Sequence, residues 1–574
     1  MTFSNLINGR NKWDVFIVLF LFLIFGYSVS RIRYEMRWSA WAEADAGHLN
    51  SSIHLAHEGF RTHYFLIYHH PGYLGKVRGL CSPVGYYTRY PPLSVIINGL
   101  LIRWFGEDVR LLKAFSILCG TLALLGLYLV LGFFFSKRVA FIAAVFSGCS
   151  MGYLEFIDSV STYSIYCEFF RFTILFLFLS YETKEKNRLR SSLFLSAIWT
   201  FLLLDSFQAF DYILFYPPFF VLYYYFSEKK LPFGKLLLFA SAPVLGFALH
   251  FLQGEMALAK YGYNQFDALF NSFGLKTLPF YKGFFSVLSF ITYFFREIQV
   301  KLQRWNYGFG FEMLFLMYGI IALLKYFKAD IAQITEGIRD RLTLNKILII
   351  FAIPSFSWWI VFPNHAASFS YTPLHLLPIL SLLFGLALDG AINLYQDRKV
   401  AREFRLGGVF LGIGLVWGPM ILNLKYYKAY PNLMDAHNNI IMGELMFLTQ
   451  EQLYSYVQIA KKFKTTSDYG DIILAPRLFS LPQDFTEYYA QRRIDYYGGE
   501  TVDALKKKIG EMQVYRKEGA LKYPIFNPKL KILGLVDRND TGVVNQYIAA
   551  HYKLQSEVDA GWALFNLEED ITYK

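Results

Sequence analysis

Residues 86 to 106 read YYTRYPPLSVIINGLLIRWFG, and residues 41 to 59 read WAEADAGHLNSSIHLAHEG. These two stretches decide how the rest of the chain is read. In the first, Pro91 and Pro92 open an apolar helix and Gly106 closes it, the order in which proline and glycine punctuate helix ends. In the second, Leu49, Ile53 and Ala56 share one helical face and Gly59 can cap the C-terminus. That pattern predicts an amphipathic helix lying on a membrane surface. Asp45 falls near its start, where a carboxylate can cap free backbone N–H groups, and Glu43 is a second carboxylate at the same place.

Both helices sit in a chain built to enter a bilayer. Of its 574 residues 55% are hydrophobic and only 17% charged, too apolar for a soluble protein of this size. A helix needs about 20 largely apolar residues to cross the hydrocarbon core. Eleven runs are candidates: Val15–Val29, Val109–Phe135, Val139–Tyr153, Ile165–Tyr181, Ser191–Phe207, Tyr212–Phe226, Leu236–Leu252, Met313–Phe327, Ile347–Phe362, Pro373–Leu388 and Leu406–Leu424. With the N-terminus inside, the basic pairs and clusters fall in the inner loops. They are Lys137 and Arg138; Lys184 to Arg190; Lys229, Lys230 and Lys235; Lys328 to Lys346; and Arg398 to Arg405. Counting Leu93–Phe105 as a further span would turn every later loop to the wrong side, so it is expected to lie at the outer interface. The net charge of +12 is then a positive-inside signal, and no nucleic acid is needed to explain it.

The first span is expected to remain on the protein, because no small-residue cleavage site follows it and Arg31, Arg33 and Arg37 do. Cys81, Cys119, Cys149 and Cys167 make no disulfide framework. Residues 1–424 read as a transmembrane domain and residues 425–574 as a small outer α/β domain. In the latter, Asp471–Pro476 and Lys529–Val536 look like buried strands, His551–Leu567 alternates like a hairpin, and Asp435–Lys464 reads as helical. The predicted fold class is therefore mainly α, a polytopic helical membrane protein with interfacial helices in its first outer loop and an extracytoplasmic α/β appendage.

The order is distinctive: one span, an acidic interfacial helix, a Tyr-Pro-Pro-Leu helix ending in Phe-Gly, then Arg110 opening a long span. Over roughly residues 10 to 390 this resembles the GT-C superfamily of membrane glycosyltransferases. In particular it resembles the bacterial branch that includes the protein O-mannosyltransferases and the lipid A aminoarabinose transferases. The resemblance implies transfer of a sugar, with inversion, from a polyprenyl-phosphate donor to a glycan, glycolipid or protein acceptor. It implies membrane lipid as surroundings and the outer side of a bacterial inner membrane as the place.

The family's catalytic acid in the first outer loop maps onto Asp45, which would take the acceptor's hydroxyl proton. A second acidic position maps onto Glu168, with Asp158 as the rival; the family often has Asp-Pro where this chain has Glu168 and Phe169. Either residue could instead cap the outer end of a helix. The leaving group is a lipid phosphate, which calls for cations and polar groups. Arg89 and Tyr90 lie beside the prolines. Arg171 stands three residues after Glu168, where it could equally pair with that acid. His365, with Tyr371, lies in a loop ahead of a proline-containing span, where it could also be an ordinary interfacial side chain. Glu43 and His48 complete the candidates around Asp45. Six histidines, His48, His54, His57, His63, His69 and His70, fall in the first outer loop, so a divalent metal ion is a possible cofactor, at a site the spacing does not define. The rival function is a multi-span transporter or lipid flippase, which would carry ionisable residues at mid-membrane. Only Lys113 and Asp205 do so here.

Overall fold

The computed structural model describes residues 12–30, 32, 42–68, 86–87, 91–161, 166–184, 188–209, 213–259, 311–326, 342–361, 372–396, 450–468, 471–476, 492–497, 501–522, 531–559 and 561–571. Ten of the eleven expected spans fall on helices there, and Leu406–Leu424 lies outside the described residues. The chain divides into two compact units: residues 1–35, 108–251 and 274–431, and residues 36–107, 252–273 and 432–574.

The first unit is a helical bundle. It contains α1 (Lys12–Ser30), and its other helices take numbers in chain order after α2 (Ala42–Glu58) and α3 (Leu93–Phe105), which belong to the second unit. These are α4 (Val109–Phe134), α5 (Lys137–Cys149), α6 (Met151–Phe156), α7 (Tyr166–Lys184), α8 (Arg188–Ser206), α9 (Tyr216–Glu228) and most of α10 (Phe233–Ala259), then α11 (Phe311–Tyr326), α12 (Leu344–Val361) and α13 (Leu377–Gln396). Among the described residues, six helices are long and apolar enough to cross a membrane: α1, α4, α8, α10, α12 and α13. The chain is a multi-pass membrane protein. Phe22, Leu23, Leu237 and Val244 stay exposed on α1 and α10, as suits helices whose solvent is lipid.

Small residues set the close crossings, as expected where lipid offers no hydrophobic drive between helices. A Cβ on Gly126 of α4 would stand 2.7 Å from the Cβ of Phe172 on α7. A Cβ on Gly385 of α13 would stand 2.8 Å from the carbonyl oxygen of Val139 on α5. Polar ties fix the α5–α13 pair further: Ser147 bonds Ser381, and Arg138 pairs with Asp389 and donates to Asn393.

The second unit holds the segment between α1 and α4. Both predicted helices form, α2 (Ala42–Glu58) and α3 (Leu93–Phe105), with a two-residue hairpin between them, β1 (Ile67–Tyr68) and β2 (Tyr86–Tyr87). Leu66, Tyr68 and Tyr86 pack against Ala257 and Leu258 at the end of α10. The C-terminal part is an α/β fold with α14 (Gln450–Thr466), β3 (Ile472–Pro476), β4 (Arg493–Tyr497), α15 (Val502–Lys522), β5 (Ile532–Asp537), α16 (Val543–His551), β6 (Tyr552–Asp559) and β7 (Trp562–Asp570). Its strand order is β4-β3-β5-β7-β6; β3 runs parallel to β4 and β5, and β6–β7 is the expected hairpin, antiparallel to β5. Ile472, Leu474, Leu505, Ile532, Ile548 and Phe565 form its core.

Candidate functional site

In the second unit, Asp45 and His48 are buried on α2, Asp45 at 6% exposure. The sequence reading had Asp45 as a possible N-cap. The helix begins three residues earlier, at Ala42, so Asp45 stands inside the first turn and not at the cap position. Glu43 falls in the same turn by its backbone. Ser52 lies seven residues after Asp45, about two turns on and so on the same face as Asp45 and His48; its hydroxyl donates to the His48 carbonyl at 2.7 Å.

The opposite face of α2 carries a cluster that the sequence reading missed as a unit. Glu58 accepts from His54 Nδ1 at 2.6 Å and from His63 Nε2 at 2.8 Å. With Nε2 donating, His63 Nδ1 is left to accept from the Tyr86 hydroxyl at 3.5 Å. The His63 ring stacks on Tyr68 at 4.1 Å, and Tyr68 meets Tyr86 at 5.0 Å. Burial alone would raise the Glu58 carboxyl, but the two imidazoles outweigh it and hold Glu58 well below the ordinary carboxylate range. Burial lowers His63, against the pull of Glu58. The next two residues, Tyr64 and Phe65, adopt left-handed backbone angles, φ 53° and 57°. That conformation costs a non-glycine residue about 1–2 kcal/mol. It is held by backbone bonds from Phe65 N to Phe60 O and from Leu66 N to His63 O, both 2.9 Å. The His54–Glu58 spacing of four was legible in the sequence; the contact to His63 and Tyr86 was not.

In the first unit, Glu168 and Arg171 are both fully buried and paired within α7. The arginine also donates to the carbonyls of Leu374, at 2.9 Å, and His375, at 3.4 Å, in the 3-10 turn before α13. Its guanidinium lies 5.3 Å from the ring centres of both Phe172 and Phe215. Glu168 sits in the first turn of α7, where the positive end of the helix dipole favours a carboxylate. Asp158 is held elsewhere, 3.9 Å from the buried Lys113 amine, while Ser116 bonds the carbonyls of Ile157 and Ser159. Asp205 accepts from the Tyr216 hydroxyl at 2.5 Å. Arg89, Tyr90, His365 and Tyr371 lie outside the described residues.

Among the described residues, no group of three or more His, Cys, Asp or Glu is arranged to hold a metal ion. Glu58 and its two histidines are bonded to one another.

No family model matches this chain, and no curated protein matches it by sequence. Solved structures do match it. ArnT from Cupriavidus metallidurans, bound to undecaprenyl phosphate, is 11% identical over 97% of this chain and 98% of its own, with a TM-score of 0.51. The oligosaccharyltransferase of Archaeoglobus fulgidus, tethered to an acceptor peptide, is 12% identical over 98% of this chain and 75% of its own, with a TM-score of 0.48. Both are GT-C glycosyltransferases. The ArnT match runs from end to end at an identity this low, so it is a likeness of fold: this chain has the fold of that structure, a GT-C glycosyltransferase.

Proposed function

We propose that this protein transfers a sugar from a polyprenyl-phosphate donor to an acceptor at the outer face of the membrane, with inversion and with Asp45 as general base. The observation that carries the reading is the buried Asp45 inside the first turn of α2, in a chain whose fold matches ArnT from end to end. ArnT was seen with undecaprenyl phosphate, which supports a lipid phosphate as the leaving group here.

In the proposed reaction an acceptor hydroxyl oxygen attacks the anomeric carbon. The bond from that carbon to the phosphate oxygen breaks, the lipid phosphate leaves with the electron pair, and the hydroxyl proton passes to Asp45. Arg89 and Tyr90 are assigned to the departing phosphate, since a guanidinium engages two of its oxygens at once. Arg171 and His365 are next in line for that role, but Arg171 already holds Glu168 and two carbonyls. Glu168 is the second acid, with Asp158 its rival. Glu43, His48 and Tyr371 are assigned to substrate contacts. The acceptor is a glycan, a glycolipid or a protein, and the site faces the extracytoplasmic side of the inner membrane.

The test compares Asp45→Asn with Glu43→Gln in purified full-length protein supplied with undecaprenyl-phosphate-linked sugars extracted from host membranes. Loss of one general base costs about 10²–10⁴-fold in rate, so Asp45→Asn should fall by that range with donor affinity kept. A near-normal rate in Asp45→Asn with an inactive Glu43→Gln would move the base to Glu43.

A further inference from the structure

The His54–Glu58–His63 cluster stands out because two independent observations meet there. A buried carboxylate holds an imidazole on each side, and the residue after the second imidazole begins a pair of left-handed aromatic residues. A turn that unfavourable persists only when its surroundings over-determine it, and such turns gather at functional sites.

We propose that Glu58 is a positioning residue: by clamping His54 and His63 it locks the last turn of α2 to the strained turn at 59–66 and the β1–β2 hairpin, and so fixes the rotation of the helix that carries Asp45. The geometry gives each part a task. His54 follows Asp45 by nine residues, about two and a half turns, so clamp and acid lie on opposite faces of one continuous helix. His63 reaches from the turn to Glu58 on one side and, through Tyr86, to β2 on the other. Tyr68 stacks against His63 and meets His54 edge-on at 5.6 Å, so β1 is gripped from both sides. On a third side α3 lies close: a Cβ on Gly99 would stand 3.2 Å from the Ser52 carbonyl oxygen. A rigid helix held at its far end cannot turn at its near end. Aim of the base matters in the transition state far more than in binding, and a small misplacement can cost about 10²-fold.

The proposal rests on Asp45 being the base, and the experiment separates the two ideas. Full-length Glu58→Ala, His63→Phe, Glu58→Gln and Asp45→Asn proteins are assayed on the same extracted undecaprenyl-phosphate-linked sugars. Binding of undecaprenyl phosphate and hydrogen exchange at the amides of Phe65 and Leu66 are measured in parallel. Glu58→Ala and His63→Phe should lower kcat by roughly 10–100-fold, leave undecaprenyl phosphate affinity unchanged, and lose protection at Phe65 and Leu66. Glu58→Gln should keep kcat within about threefold of wild type, because its amide can still bond both imidazoles once one of them changes tautomer. A merely structural role would reduce the folded fraction and leave kcat per folded molecule alone. Wild-type kcat in folded Glu58→Ala beside an inactive Asp45→Asn would overturn the clamp. A fully active Asp45→Asn would instead remove the reading beneath it, and the clamp with it. Should Glu58→Ala give no folded protein, the other two decide: a kcat loss confined to His63→Phe supports the clamp, and equal kcat in both contradicts it.

Discussion

At the scale of single residues, two buried acids, Glu168 and Asp45, stand in the first turns of different helices. Glu168 is met by a guanidinium that also holds two backbone carbonyls between two phenyl rings. Asp45 is buried on α2, on the helical face that also carries His48 and Ser52. A buried ion pair adds little net stability, but removing one partner leaves the other charge stranded, at about 3–5 kcal/mol. Arg171→Ala should therefore cost about that much in stability, read by thermal unfolding in detergent. The double variant Glu168→Leu with Arg171→Met should recover most of the loss, since apolar groups of similar volume replace such pairs at little cost. A double variant as unstable as Arg171→Ala would mean that Arg171 acts mainly through its two carbonyls. The pairing itself was legible as a spacing of three on one helical face. The carbonyl contacts were not, because Leu374 and His375 are some two hundred residues away in the chain.

At the scale of elements, what matters is how closely helices approach. Gly385 faces the backbone of Val139, which cannot yield cheaply, whereas Gly132 on α4 has no atom within 4 Å of where its Cβ would stand. Gly385→Ala should destabilise by about 1–3 kcal/mol, and Gly132→Ala should be neutral or stabilising by up to about 1 kcal/mol. A tolerated Gly385→Ala would contradict the tight α5–α13 crossing. Helix existence was readable from apolar runs, as at Val109–Phe134, where length and composition leave one reading. Helix ends were less so: α2 starts at Ala42, which moved Asp45 from a cap to the first turn. In the C-terminal fold β3, β5 and the β6–β7 hairpin were visible as apolar or alternating runs. β4, with the sequence RIDYY, and the lysine-rich α15 were not, because their hydrophobic signal is weak; the place of β4 in the sheet comes from its pairing with β3.

At the scale of the whole molecule, the candidate residues are shared between the two compact units. Asp45, His48 and the Glu58 cluster belong to one, and Glu168, Arg171 and Asp158 to the other. The segment between α1 and α4 folds into the same unit as the C-terminal α/β part, although some three hundred residues separate them. The fold distinguishes transfer from transport only through chemistry: a transferase breaks the bond between sugar and phosphate, and a flippase moves the intact lipid. The direct measurement reconstitutes the full chain in vesicles with undecaprenyl-phosphate-linked sugars and an envelope extract as acceptor. It then counts the undecaprenyl phosphate released and reads the anomeric configuration of the product by NMR. The account predicts one undecaprenyl phosphate released for each sugar transferred, inverted configuration, and neither product with Asp45→Asn; intact donor crossing the vesicle membrane with no bond broken would contradict it.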